Sequence, residues 1–217
     1  MSENWSKDQK IEEIVITGTK YLSNKEIENY IDTLIIAKKQ SQINLLKLED
    51  KLERYHYIEY CYVNFKNSKS IEISIKERIP IAYIKFENGD LDYIDKFGKV
   101  MPNRALNNYS DMPIIVGIDK NNLKSKTIVE NLKNLLSSLE DNEFVYNIIS
   151  EIEYNLKDKS FEFITTDKNL KILFGRLDNL DEKYYKFVLF WKEWVVRNET
   201  KYLKHIDLRW KDKVIIL

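Results

Sequence analysis

His56 and Cys61 stand five residues apart in the run RYHYIEYCY. A histidine that takes the proton of a cysteine thiol makes a thiolate nucleophile, so this pair is the chain's candidate for covalent catalysis. The run around it argues otherwise. Residues 58–65, IEYCYVNF, read as a strand, and there Cys61 is a small core residue, free cysteine being among the most buried types. His205 is the second histidine, and neither histidine has a ligand-type partner at i+4, so a metal site has no donor set. The sequence holds no HExxH, GxSxG, Walker or GxGxxG pattern. The tyrosines of ERYHYIEYCY could stack on nucleobases, but such grooves need flanking cations and here Glu53 and Glu59 flank them. The chain therefore reads as non-enzymatic, with no cofactor, no metal and no small-molecule substrate.

Composition narrows the field further. Among 217 residues, 35 Lys and Arg balance 35 Asp and Glu, which argues against a nucleic-acid binder that relies on bulk positive charge. The 43% apolar fraction is enough to bury a core and excludes a disordered chain. A single cysteine rules out an intramolecular disulfide and any CxxC motif. The longest apolar run is the five residues 187–191, far short of the roughly 20 that span a bilayer.

The elements follow from periodicity. IEEIVIT at 11–17 predicts a strand closed by Gly18. Ser23 and Glu26 form a capping box before a helix whose Ile27, Tyr30, Ile31, Leu34 and Ile35 share one face. Leu45, Leu48, Leu52 and Tyr55 predict a second helix, and 58–65 and 70–76 predict two strands, Ile71, Ile73 and Ile75 pointing to one side. The first part thus reads β-α-α-β-β. A boundary is expected at Pro80, where new strands begin. A hairpin is expected at 81–95, with an Asn88-Gly89 type I′ turn, and a second tight turn at 95–100 with Gly98 left-handed. Thr127 and Glu130 are expected to cap a helix carrying Ile128, Leu132, Leu135, Leu136 and Leu139. Strands are expected around 148–156, 161–166 and 169–175. Leu180 and Asp181 predict the staple and cap of a helix over 182–197, in which the pairs Tyr184/Tyr185 and Trp191/Trp194 read as core. HIDLRW and KVIIL are strand-like. The fold class is α+β, with an N-terminal flank at 1–10, a first domain at 11–78 and a second, mixed-sheet domain with packed helices at 79–217.

Several segments, in order, resemble a known family: IEEIVITGTKYLSNKEI, SIEISIKERIPIAYI, LDYIDKFGKV, MPIIVGI, LFGR and KHIDLRWKDKVII. The chain resembles the bacterial cell-division proteins FtsQ and DivIB. This resemblance implies a POTRA domain followed by a β domain, and a protein held in the plasma membrane by a single helix with this portion on the extracytoplasmic side, at the division septum. It implies that a cytoplasmic tail and that helix precede the 217 residues. Where the family usually has Tyr before the I-D-L-R segment, this chain has His205.

The C-terminal strand carries the expected function. A final strand at a sheet edge offers free N–H and C=O groups to an extended partner segment. KVIIL has no Pro or Gly, and only Lys211 and Lys213 guard it. Trp210, Val214, Ile215 and Ile216 are expected to form that edge, with Trp210 as anchor and Arg209 and Lys213 pairing with partner carboxylates. In the resembled family the strand receives a segment of FtsB, called DivIC in Gram-positive bacteria, which pairs with FtsL. Glu77, Arg78 and Pro80 are expected to act as an interdomain salt bridge or hinge. The competing expectation is a POTRA-type chaperone or transport module that binds unfolded β-strands of many clients.

Overall fold

The computed structural model describes residues 9–35, 38–104, 111–167, 169–195 and 203–216. By its contacts the chain divides into two compact units, Met1–Ile79 and Pro80–Leu217.

In the first unit, Glu13–Thr17 (β1) lies parallel to Ser70–Glu77 (β3), which pairs antiparallel with Ile58–Phe65 (β2), giving the order β1-β3-β2. Strict alternation places Ile71, Ile73 and Ile75 on the buried face of β3, with Ile27, Ile31 and Ile35 of Asn24–Ile35 (α1) and Leu48 and Leu52 of Leu45–Glu53 (α2) in the same core. The start signals act as read from the sequence. Ser23 Oγ accepts from Glu26 N–H at 3.2 Å, and Asn44 caps α2 by accepting from Lys47 N–H at 3.0 Å. Gly18, at φ +84°, passes so near β3 that a Cβ there would stand 2.1 Å from the Ile75 carbonyl oxygen.

The described residues of the second unit build a nine-stranded sheet. Its strands are Pro80–Lys85 (β4), Leu91–Asp95 (β5), Val100–Met101 (β6), Ile114–Val116 (β7), Ile149–Asn155 (β8), Ser160–Thr165 (β9), Lys171–Gly175 (β10), His205–Asp207 (β11) and Ile215–Ile216 (β12). The order is β12-β11-β10-β9-β8-β7-β4-β5-β6. Among the described residues three α-helices join it: Lys126–Glu140 (α3), Glu143–Ile148 (α4) and Leu180–Phe190 (α5), the last continuing as a π-helical turn at Trp191–Val195. Leu132, Leu135, Leu136 and Leu139 of α3 form the expected buried stripe, and Tyr184, Phe187 and Phe190 of α5 join the same core as Phe161, Phe163 and Phe174.

Some local expectations give way to backbone geometry. Asn88 does not take positive φ, so the 86–89 turn is not type I′: Gly89 N–H closes onto Phe86 O at 2.9 Å and Gly89 alone is left-handed at φ +88°. The Asp95 turn forms as expected, with Gly98 at φ +77° and the Asp95 carboxylate accepting from Phe97 and Lys99 N–H. Helix α3 starts at Lys126, so Thr127 lies inside it and Ser125 holds the cap position. Helix α5 starts at Leu180, with Asn179 left-handed in the cap position at φ 49°, so Asp181 lies in the first turn, where its charge meets the helix dipole. The sequence reading did not anticipate α4. Residues 196–197 of the expected last helix, most of the 1–10 flank and Leu217 lie outside the described residues.

Candidate functional site

The C-terminal segment is held by its neighbours before it reaches the sheet edge. Strand β11 runs parallel to β10, Ile172 beside Ile206, and Leu208 N–H continues that ladder to Leu173 O at 3.0 Å. The chain then turns through 209–214 and returns as β12, antiparallel to β11 with Ile206 opposite Ile216 and Asp207 opposite Ile215. Asp212 takes φ +54° in that turn, which ends strand geometry well before Val214. Trp210 and Val214, expected in the edge strand, therefore precede it, and β12 is only Ile215–Ile216. No other described strand pairs with the outer side of β12.

Asp207 organises the turn. Its buried carboxylate accepts from Arg209 N–H at 3.0 Å, from Arg209 Nε at 2.9 Å and Nη2 at 2.7 Å, and from Trp210 Nε1 at 3.2 Å. The guanidinium donates to both oxygens, the two-pronged geometry that fixes orientation as well as distance. Arg209, followed by the cost of burial and the backbone bond, sets the balance that holds the Asp207 carboxyl below the ordinary range. Arg209 reaches this position by lying over Gly175, where an added Cβ would stand 2.7 Å from Arg209 Cγ. Gly175, at φ +80°, thus serves both a left-handed bend and a close approach.

Helix α5 supplies the second support. The buried Lys186 ammonium donates to Trp210 O at 2.6 Å and Leu208 O at 3.2 Å and pairs with Glu182 at 2.9 Å. Glu182 in turn accepts from Asp212 N–H at 2.8 Å, the main cause of its lowered pKa. The sequence reading missed both residues. Their i,i+4 spacing was a visible signal, but such a pair ordinarily marks a solvated helix face.

Trp210 is 55% exposed and Ile216 42% exposed, so two large apolar side chains meet solvent on either side of this pinned turn. Tyr185 and Leu189 of α5 are exposed too, as is Trp194, whereas Tyr184 and Trp191 are buried; each expected core pair is split between core and surface. Beside the turn, a cleft of about 300 Å³ is bordered by Arg176, Asp178, Lys183 and Arg209. Lys183 is buried there, donating to Arg176 O at 2.6 Å and Asp178 at 2.5 Å, and Arg176 Nε donates to Asp158 O at 3.0 Å. Arg176 and Arg209 thus stand at one cleft, a convergence that positions 33 apart in sequence did not reveal.

The structure therefore brings Arg209, Trp210, Lys213, Val214, Ile215 and Ile216 into one segment at a sheet edge. Glu77 and Arg78 lie elsewhere. The Glu77 carboxylate is buried inside the first unit, accepting from Tyr21 N–H at 3.1 and 2.9 Å and from Leu22 N–H at 2.8 Å, and Arg78 N–H donates to Tyr57 O at 2.8 Å. Glu77 thus secures the entry to α1. Pro80 opens β4 opposite Asp95.

The remaining chemistry is weak. Cys61 is buried, and burial, followed by Glu53 and Glu49, pushes its thiol up to about 12, which disfavours the thiolate. His56 is exposed on the turn after α2. Among the described residues no group of three or more His, Cys, Asp or Glu could hold a metal ion, and no helix is long and apolar enough to cross a membrane.

Comparison with known proteins gives this architecture a place. Residues 79–216 match the family model described as FtsQ/DivIB, C-terminal related, and residues 9–78 match the FtsQ-type POTRA domain. The chain belongs to the FtsQ/DivIB family. Its first unit, β-α-α-β-β, is the POTRA domain. The chain is also similar to the cell division protein FtsQ of Rhodothermus marinus, 24% identical over 178 residues, which cover 78% of this chain and 63% of that relative. The chain thus spans less than two thirds of the relative's length.

Proposed function

We propose that this FtsQ/DivIB-family chain is a non-enzymatic scaffold of the bacterial division machinery, acting at the septum on the extracytoplasmic side of the plasma membrane. Its second unit binds an extended segment of another division protein, of the FtsB/DivIC type in company with an FtsL-type protein, by strand addition to β12. One observation carries the reading: β12 is an edge strand whose outer side no described strand covers, and it follows a turn fixed by Asp207 and Lys186. Main-chain bonds at such an edge give affinity, and neighbouring side chains give specificity. Trp210 supplies the large exposed anchor. Arg209 and Arg176, at the cleft, and the exposed Lys213 receive partner carboxylates at the rim.

The test is capture of membrane proteins from the native bacterium by the chain and by its Ile215→Pro variant, with mass spectrometry of what is bound. The proline fixes φ and removes a ladder N–H donor, the one that Ile215, opposite Asp207, turns toward β11. The wild type is expected to retain a short coiled-coil membrane protein that the variant loses, while both melt cooperatively. Equal capture would sink strand addition at β12, and capture of many unrelated β-rich proteins would favour the chaperone reading instead.

A further inference from the structure

The POTRA unit carries a second surface, independent of the β12 edge. Helices α1 and α2 pack together and leave a groove of about 500 Å³, lined by Tyr30 and Leu34 from α1, by Lys47, Asp50 and Lys51 from α2 and by Arg54 at the C-cap of α2. Lys47, Lys51 and Arg54 recur at i, i+4 and i+7, so helical geometry sets them in one row about 10 Å long. Tyr30 and Leu34, one turn apart and half-buried, form the floor. The Tyr30 ring is fixed there, met edge-on by Tyr55 at 4.8 Å and covered by Lys51 Nζ at 4.9 Å.

The charges in this groove are not balanced internally. Among the described residues the side chains of Lys47 and Arg54 make no hydrogen bond or ion pair, and the lining set holds three cations against one carboxylate, Asp50. Glu26, the nearby acid on α1, accepts from the Tyr55 hydroxyl. Leu46, 72% exposed, adds an apolar side chain one turn before Asp50. A merely solvated basic face would explain the cations but not the recessed aromatic and aliphatic floor beside them.

We propose that the α1–α2 groove docks an acidic amphipathic helix of a partner protein. Asp or Glu residues at i, i+3 or i+4, and i+7 face the Lys47–Lys51–Arg54 row, and one large apolar side chain sits on Tyr30 and Leu34. Matching rows of opposite charge would speed encounter and fix register, while the floor supplies the apolar contact. An anionic membrane surface satisfies the charges but not the floor, because a plane of headgroups does not reach apolar atoms recessed between two helices.

The experiment places the photo-cross-linker p-benzoylphenylalanine at position 46 of the full-length protein in its native bacterium, and sequences the adducts by mass spectrometry. The expected adduct is one partner segment with at least three acidic residues at helical spacing. Its yield is expected to fall at least tenfold in the double variant Lys47→Glu/Arg54→Glu and partly in Lys47→Gln/Arg54→Gln, both pairs being exposed and the fold checked by thermal melting. It is expected to persist in Ile215→Pro, which separates this surface from the β12 edge. Lipid adducts, adducts to segments without an acidic row, undiminished yield in the charge-reversed variant, or no adduct at all would overturn the proposal.

Discussion

The nine-stranded sheet ends in two strands of equal length and opposite character. At one edge, β6 is Val100–Met101, with Met101 fully buried, and the chain beyond it is tied back over β5: Tyr93 Oη donates to Arg104 O at 3.0 Å and Asn103 N–H to Asp92 at 3.2 Å. At the other, β12 is Ile215–Ile216, half-buried and exposed in turn, with the exposed Trp210 preceding it. Edge strands invite pairing, and folds suppress this with short strands, coverings or charge. Length is the same at both edges, so the difference lies in burial and in the bonds of the flanking chain. Beyond one edge strand the chain is bonded back to β5, and the other ends a turn whose backbone is organised by buried charges.

Proline substitution at the two edges is the strongest way to break that comparison. Ile215→Pro is expected to weaken partner capture by about 100-fold, the scale of a lost interface hot spot. Val100→Pro is expected to lower stability while leaving capture intact. Titration of one partner peptide against both variants decides it; loss of binding in Val100→Pro alone would reverse the assignment of the two edges.

The next largest effect falls on the support beneath β12. Lys186→Met keeps the length and apolar stem but leaves the carbonyls of Leu208 and Trp210 without their ammonium donor, at an expected cost of about 2–3 kcal/mol. Denaturant unfolding should show that loss, and hydrogen exchange should show faster exchange at 208–216 than at β6. Unchanged exchange at 208–216 would mean that α5 does not hold the turn.

How much of this was legible in the sequence depends on how local each signal is. Ile71, Ile73 and Ile75, and the Leu132 to Leu139 stripe, declared their elements because periodicity depends only on which face is buried. The cap positions did not: whether Thr127 or Ser125, Asp181 or Asn179, begins a helix depends on the φ and ψ of the incoming chain, and several residues in each segment had suitable side chains. The short β12 was obscured because residues 214–217, VIIL, are apolar throughout, while the left-handed Asp212 that delays the strand bonds to Glu182, 30 residues away. Lys186 and Glu182 read as a surface pair because only the tertiary fold brings carbonyls to the ammonium. The split of Tyr184 from Tyr185 follows from the 100° step between adjacent helical residues, which the expectation of a shared core face overlooked.

Asp207→Asn sharpens the comparison through pH. Arg209 holds the Asp207 carboxyl below its ordinary value of 3.8, so the folded protein releases this proton more readily than the unfolded chain does. The resulting stability is complete above that ordinary value and is lost as pH falls through the lower folded one. The variant is therefore expected to be less stable than wild type at neutral pH by about 1–2 kcal/mol, with the gap narrowing as pH drops below 3.8. A gap that stays constant down to acid pH would mean that shape, not charge, fixes the turn.

The β6 edge gives the smallest and most specific effect. Tyr93→Phe removes the hydroxyl that donates to Arg104 O but keeps the ring that packs against Tyr83 at 5.0 Å. The expected cost is about 1 kcal/mol, the net worth of one such hydrogen bond, with partner capture unchanged. Hydrogen exchange at 100–104 should rise while exchange at 205–216 stays as in wild type. If the bonds of the flanking chain alone keep β6 unpaired, the variant should also show more self-association at high concentration, measured by sedimentation, than a Tyr185→Phe control on exposed α5. Equal sedimentation of the two variants would show that buried Met101 suffices to keep that edge unpaired, and that the exposure of Ile216, rather than the lack of such bonds, is what leaves β12 open.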